Sequence, residues 1–269
     1  MKKNEIISLL KNYDLKAKKG FGQNFLSDEN VLQKIVQTAN LSKSDRVVEV
    51  GPGLGILTKK LAEKAKKITS VELDKSLIQL LENELCNFEN VELVNMDALQ
   101  YTPPKEEYKL IANIPYYITS PLISHFLSNK NKPKKVVLLI QKEVAEKICA
   151  KAKKLNVLGI HVQIFGTPKI ISKVSCEAFY PAPKVDSAIL SIDIYKNPLI
   201  DSSKLEAFSK IVHAGFSHKR KTILNSLTRK LPQMKKSEIE QSLDKCNIDP
   251  DARAQHLSIE DWNCLTNLL

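Results

Sequence analysis

The segment ANIPYYITSP, residues 112–121, carries residue types that could act on an amine. Pro115 has no N–H, and it biases Ile114 toward an extended backbone. Such a turn presents two acceptors with no competing donor, the Asn113 side-chain oxygen and the Ile114 carbonyl, and Tyr116 follows as a flat face. The exocyclic amine of a nucleobase is a poor nucleophile because its lone pair is delocalised into the ring. Two acceptors on its N–H groups would hold that lone pair toward an incoming methyl and stabilise the positive charge that develops on nitrogen. No strong general base is needed, since the methylated amine carrying an extra proton is very acidic; the remainder is in-line positioning. Stacking on Tyr116 would fix the base at ~1–3 kcal/mol, after the base has left its own stack. The plainer alternative is a strand-to-helix turn in which Asn113 caps and Pro121 begins the next helix.

A second group of residues could hold a cofactor. EVGPGLG, residues 49–55, places Gly51, Gly53 and Gly55 between a strand and a helix. Glycines there let backbone approach a ligand closely and aim helix N-terminal amides at it. Glu72 lies about 20 residues further on, at the end of the next strand, where an acid can accept from both ribose hydroxyls. Asp97 ends the third strand and could read an adenine amino group from the neighbouring edge. The spacing is GxGxG, not the dinucleotide fingerprint GxGxxG. This favours S-adenosylmethionine, which carries no phosphate, while NAD stays open on the motif alone.

These residues need a scaffold that brings strand ends together, and the patterning supplies one. From residue 45, RVVEV, KITSVEL, VELVNM, YKLIANI and KVVLLIQ read as strands, and LTKKLAEKA, KSLIQLLENEL and PLISHFL as intervening helices. Strand–helix alternation with continuous apolar runs predicts a doubly wound parallel α/β sheet. MKKNEIISLLKNY reads as a short amphipathic helix, and Ser27 or Asp28 can cap a helix with Val31, Leu32, Ile35, Val36 and Ala39 on one face. KIISKVS and SAILSIDIY, after residue 165, read as an antiparallel pair. Pro198 marks a linker, and only helical patterns follow, with Trp262 read as core. The expected division is an α/β domain over 1–198 and a small all-helical domain over 199–269.

The chain has 269 residues with 41 Lys+Arg against 30 Asp+Glu, a net charge of +11. Hydrophobic residues at 43% and charged residues at 26% exclude a disordered chain and a collagen. No apolar run approaches the ~18–20 residues of a membrane span, and the N-terminus does not read as a signal peptide. The basic excess points to a polyanionic partner, nucleic acid before membrane. Five scattered cysteines without a CxxC pair fit a reducing cytoplasm better than a disulfide framework or zinc site. His213 and His218 do not share a helix face well, and no metal site is read. Nothing demands more than a monomer.

GQNFL (22–26), VVEVGPGLGILT (47–58), VELD (71–74), NMDAL (95–99), NIPYYITSP (113–121), LIQKEVAEKI (139–148) and FYPAPKVDSAIL (179–190) occur in this order, followed by AGFSHKRKTILNSL (214–227). In these segments the chain resembles the ribosomal RNA adenine N6,N6-dimethyltransferases, specifically the bacterial small-subunit enzymes. The resemblance runs from about residue 18 to 190, resumes at 214–227 and is highly specific. It implies a Rossmann-like methyltransferase domain with a seven-stranded sheet, a small helical C-terminal domain and S-adenosylmethionine as donor. The implied substrate is two adjacent adenosines in a hairpin loop near the 3′ end of small-subunit (16S) ribosomal RNA, each methylated twice on an assembling 30S particle in the cytoplasm.

Carried over by position, the resemblance implies that Asn24 and Leu26 close over the cofactor. Gly51 would face its methionine part, with Gly53 in the same turn. Glu72 would hold the ribose and Asp97 the adenine amino group. Asn113 would contact both cofactor and target amine, Ile114 would supply its carbonyl, and Tyr116 and Phe179 would flank the target adenine. From the residues alone, Phe179 reads better as a core aromatic before two prolines. Basic clusters at Lys16, Lys18 and Lys19, at Lys151, Lys153 and Lys154, and at Lys219, Arg220 and Lys221 could contact RNA phosphates. The resemblance favours the last cluster. Two departures stand out: AKAKKLNVLG replaces a Gly/Ser-containing loop, and HKRKT is poorer in Arg than is usual, which keeps charge but loses the planar fork. The rival readings are a large-subunit adenine methylase of the macrolide-resistance type, a non-catalytic RNA-binding assembly factor on the same fold, and an NAD-dependent oxidoreductase.

Overall fold

The computed structural model describes residues 1–218 and 220–269. By packing, the chain divides into two compact units. The first comprises residues 1–145 and 167–194, the second 146–166 and 195–269. Residues 146–166, expected in the α/β domain over 1–198, pack instead with the helical residues.

The first unit is built on a seven-stranded sheet. Its strands are β2 (Arg46–Val50), β3 (Lys67–Glu72), β4 (Val91–Asn95), β5 (Lys109–Asn113), β6 (Lys135–Gln141), β7 (Gly166–Val174) and β9 (Ser187–Ile194), in the order β4-β3-β2-β5-β6-β9-β7. The first five are parallel, and β9 runs antiparallel to β6 from Lys135↔Asp193 to Gln141↔Ser187. The apolar runs sit where both sheet faces are covered: Val136 to Ile140 and Leu110 to Ala112 are buried throughout. In register, Val50 lies opposite both Val71 and Ala112, and Glu72 opposite Asn95. The carboxyl ends of β2, β3, β4 and β5 therefore share one edge. Strand order reverses between β2 and β5, the point at which open α/β sheets leave a crevice for ligand.

Helices α1 (Lys3–Asn12), α2 (Glu29–Ala39), α3 (Ile56–Ala62), α4 (Ile78–Leu85) and α5 (Thr119–Ser128) belong to this unit. Asp28 caps α2 by accepting from the N–H groups of Asn30 and Val31, and Leu32, Ile35, Val36 and Ala39 are buried on its inner face. Ile6 and Leu10 anchor α1 beside Leu54, Leu80 and Leu81.

Two strands of two residues each were not legible from the patterning. β1 (Phe25–Leu26) pairs antiparallel with β8 (Phe179–Tyr180), Phe25 opposite Tyr180 and Leu26 opposite Phe179. The GQNFL and FYPAPKV segments, more than 150 residues apart by the Ser27–Ala178 separation of 151, are thereby one local structure.

The second unit is helical. The chain enters it within α6 (Lys142–Ile148). Then come α7 (Val157–Gln163), α8 (Leu205–Phe216), α9 (Ile223–Lys230), α10 (Lys236–Lys245) and α11 (Ile259–Leu268). The first three residues of α7, Val157 to Gly159, belong to the AKAKKLNVLG segment that the sequence places in a loop. It begins at Asn156, whose side chain accepts from Gly159 N–H. Trp262 is fully buried and stacks on Phe216 at 5.7 Å. Cys246, at the end of α10, and Cys264, in α11, form a disulfide with Cα atoms 5.9 Å apart. This corrects the expectation that the cysteines are unpaired: the 18-residue separation matches no recognisable motif, and helix packing alone brings the two together. Among the described residues no helix is long and apolar enough to cross a membrane.

Candidate cofactor and base pocket

A cavity of about 250 Å³ lies in the first unit at the shared edge of β2, β3, β4 and β5. Asn24, Leu26, Gly51, Gly53, Glu72, Asp97, Asn113, Ile114 and Tyr116 all line it. Of the site residues expected in this unit, Phe179 alone does not. It is 1% exposed and packs with Leu26, Val174 and Ala178 in the core, so its β-bridge to Leu26 makes it a support behind the pocket wall.

The floor is the glycine turn. Gly51 and Gly53 have φ of +68° and +59°, the left-handed region in which a side chain is strained. Gly51 N–H donates to Val71 O at 2.9 Å, which ties the turn to β3. A Cβ at Gly53 would come within 3.2 Å of the Phe25 ring, so the turn also lies hard against the N-terminal wall.

Glu72 is 7% exposed and accepts from Asp74 N–H at 2.8 Å and Gly53 N–H at 3.3 Å. Burial raises its carboxyl above the usual range, against the lowering effect of those two amides. Asp97 accepts from Leu99 N–H through one oxygen at 2.9 Å, and no hydrogen bond to a described residue engages its other oxygen. Leu73, next to Glu72 in the chain, exposes 47% of its surface and lines the cavity with the apolar Met96 and Ala98.

Glu49 also lines the cavity. One oxygen accepts from Thr58 and Ser70 hydroxyls at 2.7 and 2.8 Å, while its second oxygen is buried without a partner. Burial pushes its carboxyl up to about 7. Three carboxylates, Glu49, Glu72 and Asp97, therefore line the cavity, and no lysine or arginine among the described residues does. That donor set repels a pyrophosphate and suits an adenosine-bearing ligand with a cationic tail.

The N-terminal wall, Phe21 to Leu26, is held by a buried carboxylate. Asp74 is 4% exposed and accepts from Lys18 Nζ and Gln23 Nε2, both at 2.7 Å, and from Ser76. Burial pushes Asp74 up, but these donors together outweigh it and hold the carboxyl below the usual range. Lys18, exposed like Lys16 and Lys19 of the same basic cluster, is thus committed to an intramolecular ion pair.

At the reacting corner, Asn113 Nδ2 donates to Asn24 O at 3.3 Å. Asn113 lines the cavity, and with its amide nitrogen engaged its amide oxygen remains an acceptor. Pro115, at φ −56° and ψ 134°, leads into a single 3₁₀ turn, Tyr116–Ile118. The Tyr116 hydroxyl is 2.7 Å from Ser187 Oγ, itself fully buried at the start of β9.

In the second unit, Lys151, Lys153, Lys154, Arg220 and Lys221 are exposed, whereas Lys219 lies outside the described residues. No group of three or more His, Cys, Asp or Glu among the described residues could hold a metal ion.

The chain matches the family model described as ribosomal RNA adenine dimethylase over residues 14–269. It is 41% identical over 268 residues to the ribosomal RNA small subunit methyltransferase A of Clostridium botulinum strain Langeland, covering 97% of each chain. It is 41% identical over 263 residues to the protein of the same name from Dehalococcoides mccartyi strain BAV1, covering 96% of this chain and 90% of that one. Among solved structures it is similar to a dimethyladenosine transferase from Plasmodium falciparum, with a TM-score of 0.76 and 29% identity over 90% of this chain and 95% of that one. It is also similar to the 23S rRNA methyltransferase ErmE, with a TM-score of 0.74 and 32% identity over 91% of this chain and 99% of that one.

Proposed function

The chain belongs to the ribosomal RNA adenine dimethylase family, and from that premise we propose that it dimethylates the N6 amines of two adjacent adenosines in small-subunit ribosomal RNA. The observation that carries this reading is the convergence of Glu72, Asp97, Asn113 and Tyr116 on one cavity that is rich in carboxylates and lacks basic residues among those described. S-adenosylmethionine, when bound, would supply a methyl group carried on its sulfonium sulfur, the S–CH3 bond breaking as the N–CH3 bond forms and the donor leaving as a neutral thioether. Glu72 holds the ribose and Asp97 the adenine amino group. Gly51 and Gly53 admit the methionine part, and Asn24 and Leu26 close the wall.

The target adenine stacks on Tyr116, which its bond to Ser187 holds in place. The Asn113 oxygen and the Ile114 carbonyl accept from the exocyclic amine and aim its lone pair at the methyl. As the bond forms, the same two acceptors stabilise the charge on nitrogen, and the surplus proton is lost to water. The pocket has no need of a strong base. The substrate hairpin lies near the 3′ end of 16S ribosomal RNA, and the reaction takes place on the assembling 30S particle in the cytoplasm. Lys219, Arg220 and Lys221 contact RNA phosphates from the helical domain, so replacing them with Ala lowers the salt dependence of binding.

The test is transfer of labelled methyl groups from S-adenosylmethionine to purified, unmethylated small and large subunits, with nucleoside analysis of the product. Dimethyladenosine from small subunits is expected. Transfer to large subunits alone, or to neither, would overturn the reading.

A further inference from the structure

Tyr116 and Tyr117 are neighbours in one 3₁₀ turn, yet their surroundings are opposite. Tyr116 is half-buried with its hydroxyl bonded to Ser187. Tyr117 leaves 57% of its surface exposed, and its hydroxyl has no hydrogen-bond partner among the described residues. Of the large exposed apolar side chains among the described residues, only Leu73 and Tyr117 line the cavity, and Leu73 stands beside Glu72, the residue assigned to the cofactor. Tyr117 therefore marks the rim on the side of the reacting corner.

Its ring has a definite seat. A Cβ at Gly22, where φ is +61°, would fall 3.5 Å from two carbons of the Tyr117 ring and 3.2 Å from Pro115 Cβ. The ring thus rests near bare backbone and leaves more than half of its surface to solvent. Gly22 belongs to the wall that Asp74 holds through Lys18 and Gln23, so the seat is itself fixed. Phe21 also lines the cavity, with the Lys18 ammonium 5.5 Å from its ring centroid, and Lys16 and Lys19 are exposed nearby in sequence. Aromatic faces with cations beside them are what a single strand of nucleic acid needs: the rings stack on bases whatever their identity, and the cations follow the backbone.

We propose that Tyr117, seated on Gly22, is a stacking shelf for the nucleobase adjacent to the target adenine, so that the pocket and its rim hold two consecutive bases. This rests on the reading that the pocket takes an RNA adenine. A strand that delivers one base to Tyr116 must leave the neighbouring base close to the rim. With two adjacent adenosines as substrate, the shelf holds one while the other reacts. Tyr117 is then a positioning residue for RNA and has no part in binding the methyl donor.

The experiment compares Tyr117→Ala, Tyr117→Phe and Tyr117→Trp in the full-length protein. It reads kcat and KM for unmethylated small subunits, and affinity for S-adenosylmethionine. It also follows the fluorescence of a single-stranded RNA carrying 2-aminopurine beside a target adenosine. Tyr117→Ala should raise KM for RNA roughly five- to a hundredfold, leave kcat and donor affinity unchanged, and abolish the quenching that the wild type produces. Phe and Trp should restore both. If Tyr117→Ala keeps wild-type KM and quenching, or weakens only donor binding, the shelf does not exist and the ring merely packs Gly22. If wild type quenches the probe but transfers no methyl to RNA, the shelf stands and the proposed reaction falls. A wild type that methylates without quenching rejects the shelf alone.

Discussion

The Tyr116 hydroxyl lies 2.7 Å from Ser187 Oγ, which joins the turn after β5 to the first residue of β9. Ser187 is fully buried and Tyr116 half-buried, and burial raises the Tyr116 phenol above its usual range, against the lowering effect of the Ser187 contact. The bond sets the plane on which a target base would lie. Removing either partner should loosen that plane by similar amounts. Ser187→Ala and Tyr116→Phe should each lower kcat severalfold, and the double variant should lose little more than either alone. Steady-state kinetics of the three proteins check this; additive losses would mean that the contact does not position the ring.

Asn113 donates to Asn24 O and leaves its amide oxygen to accept. Asn113→Ala should cut methyl transfer by about 10²–10³ while RNA affinity stays near wild type. Filter binding beside single-turnover transfer separates the two quantities. Normal turnover would remove Asn113 from the reaction.

Glu72 bonds the Asp74 and Gly53 amides and faces the cavity. Glu72→Ala should therefore weaken S-adenosylmethionine binding by at least tenfold, because a charged acceptor contributes ~1.5–3 kcal/mol. Calorimetric titration reads this directly, and unchanged affinity would put the ribose elsewhere.

Glu49 carries a pH signature. Its carboxyl rises from an ordinary value of 4.5 to about 7 in the folded protein, chiefly through burial. The folded state therefore holds a proton that the unfolded state releases between these limits. Glu49 costs no stability below pH 4.5, and its full cost is felt above about pH 7. Glu49→Gln should raise the melting temperature of the ligand-free protein at pH 8 by a few degrees and change it little at pH 4.5. The cationic donor favours the ionised form, so donor affinity should rise from pH 6 to 8 in the wild type and stay flat in Glu49→Gln. Thermal scans and titrations across that range check both slopes.

The Cys246–Cys264 link closes an 18-residue separation between α10 and α11. Reducing it should cost the helical unit about 3 kcal/mol. Thiol titration of the denatured, unreduced protein should find only Cys86, Cys149 and Cys176 reactive. Five reactive thiols would show that the link does not form.

The long elements of this fold were legible because their signals are periodic. RVVEV and KVVLLIQ read as buried strands, and they are. The cavity was legible because each strand end carries a residue type its chemistry demands. β1 and β8 were not, since two residues have no period, and their pairing depends on chain folding that brings Phe25 to Tyr180. α7 was hidden behind the lysines at 151–154, although Asn156 is a sound cap for it. Glu49 was visible as a letter in EVGPGLG, but only burial reveals its orphan oxygen. Phe179 shows the limit of transfer by motif: its own surroundings, before two prolines, argued for the core position it occupies.

The two-residue bridge between Leu26 and Phe179 has a thermodynamic corollary. Leu26 lines the cavity, while Phe179 leads the segment that reaches Ser187, the partner of the Tyr116 hydroxyl. If Leu26 serves the methyl donor and Ser187 the target base, as proposed, a shift at one would reach the other through this bridge, and the affinities for methyl donor and RNA would be linked. Whatever factor one ligand contributes to binding of its companion is returned in equal measure.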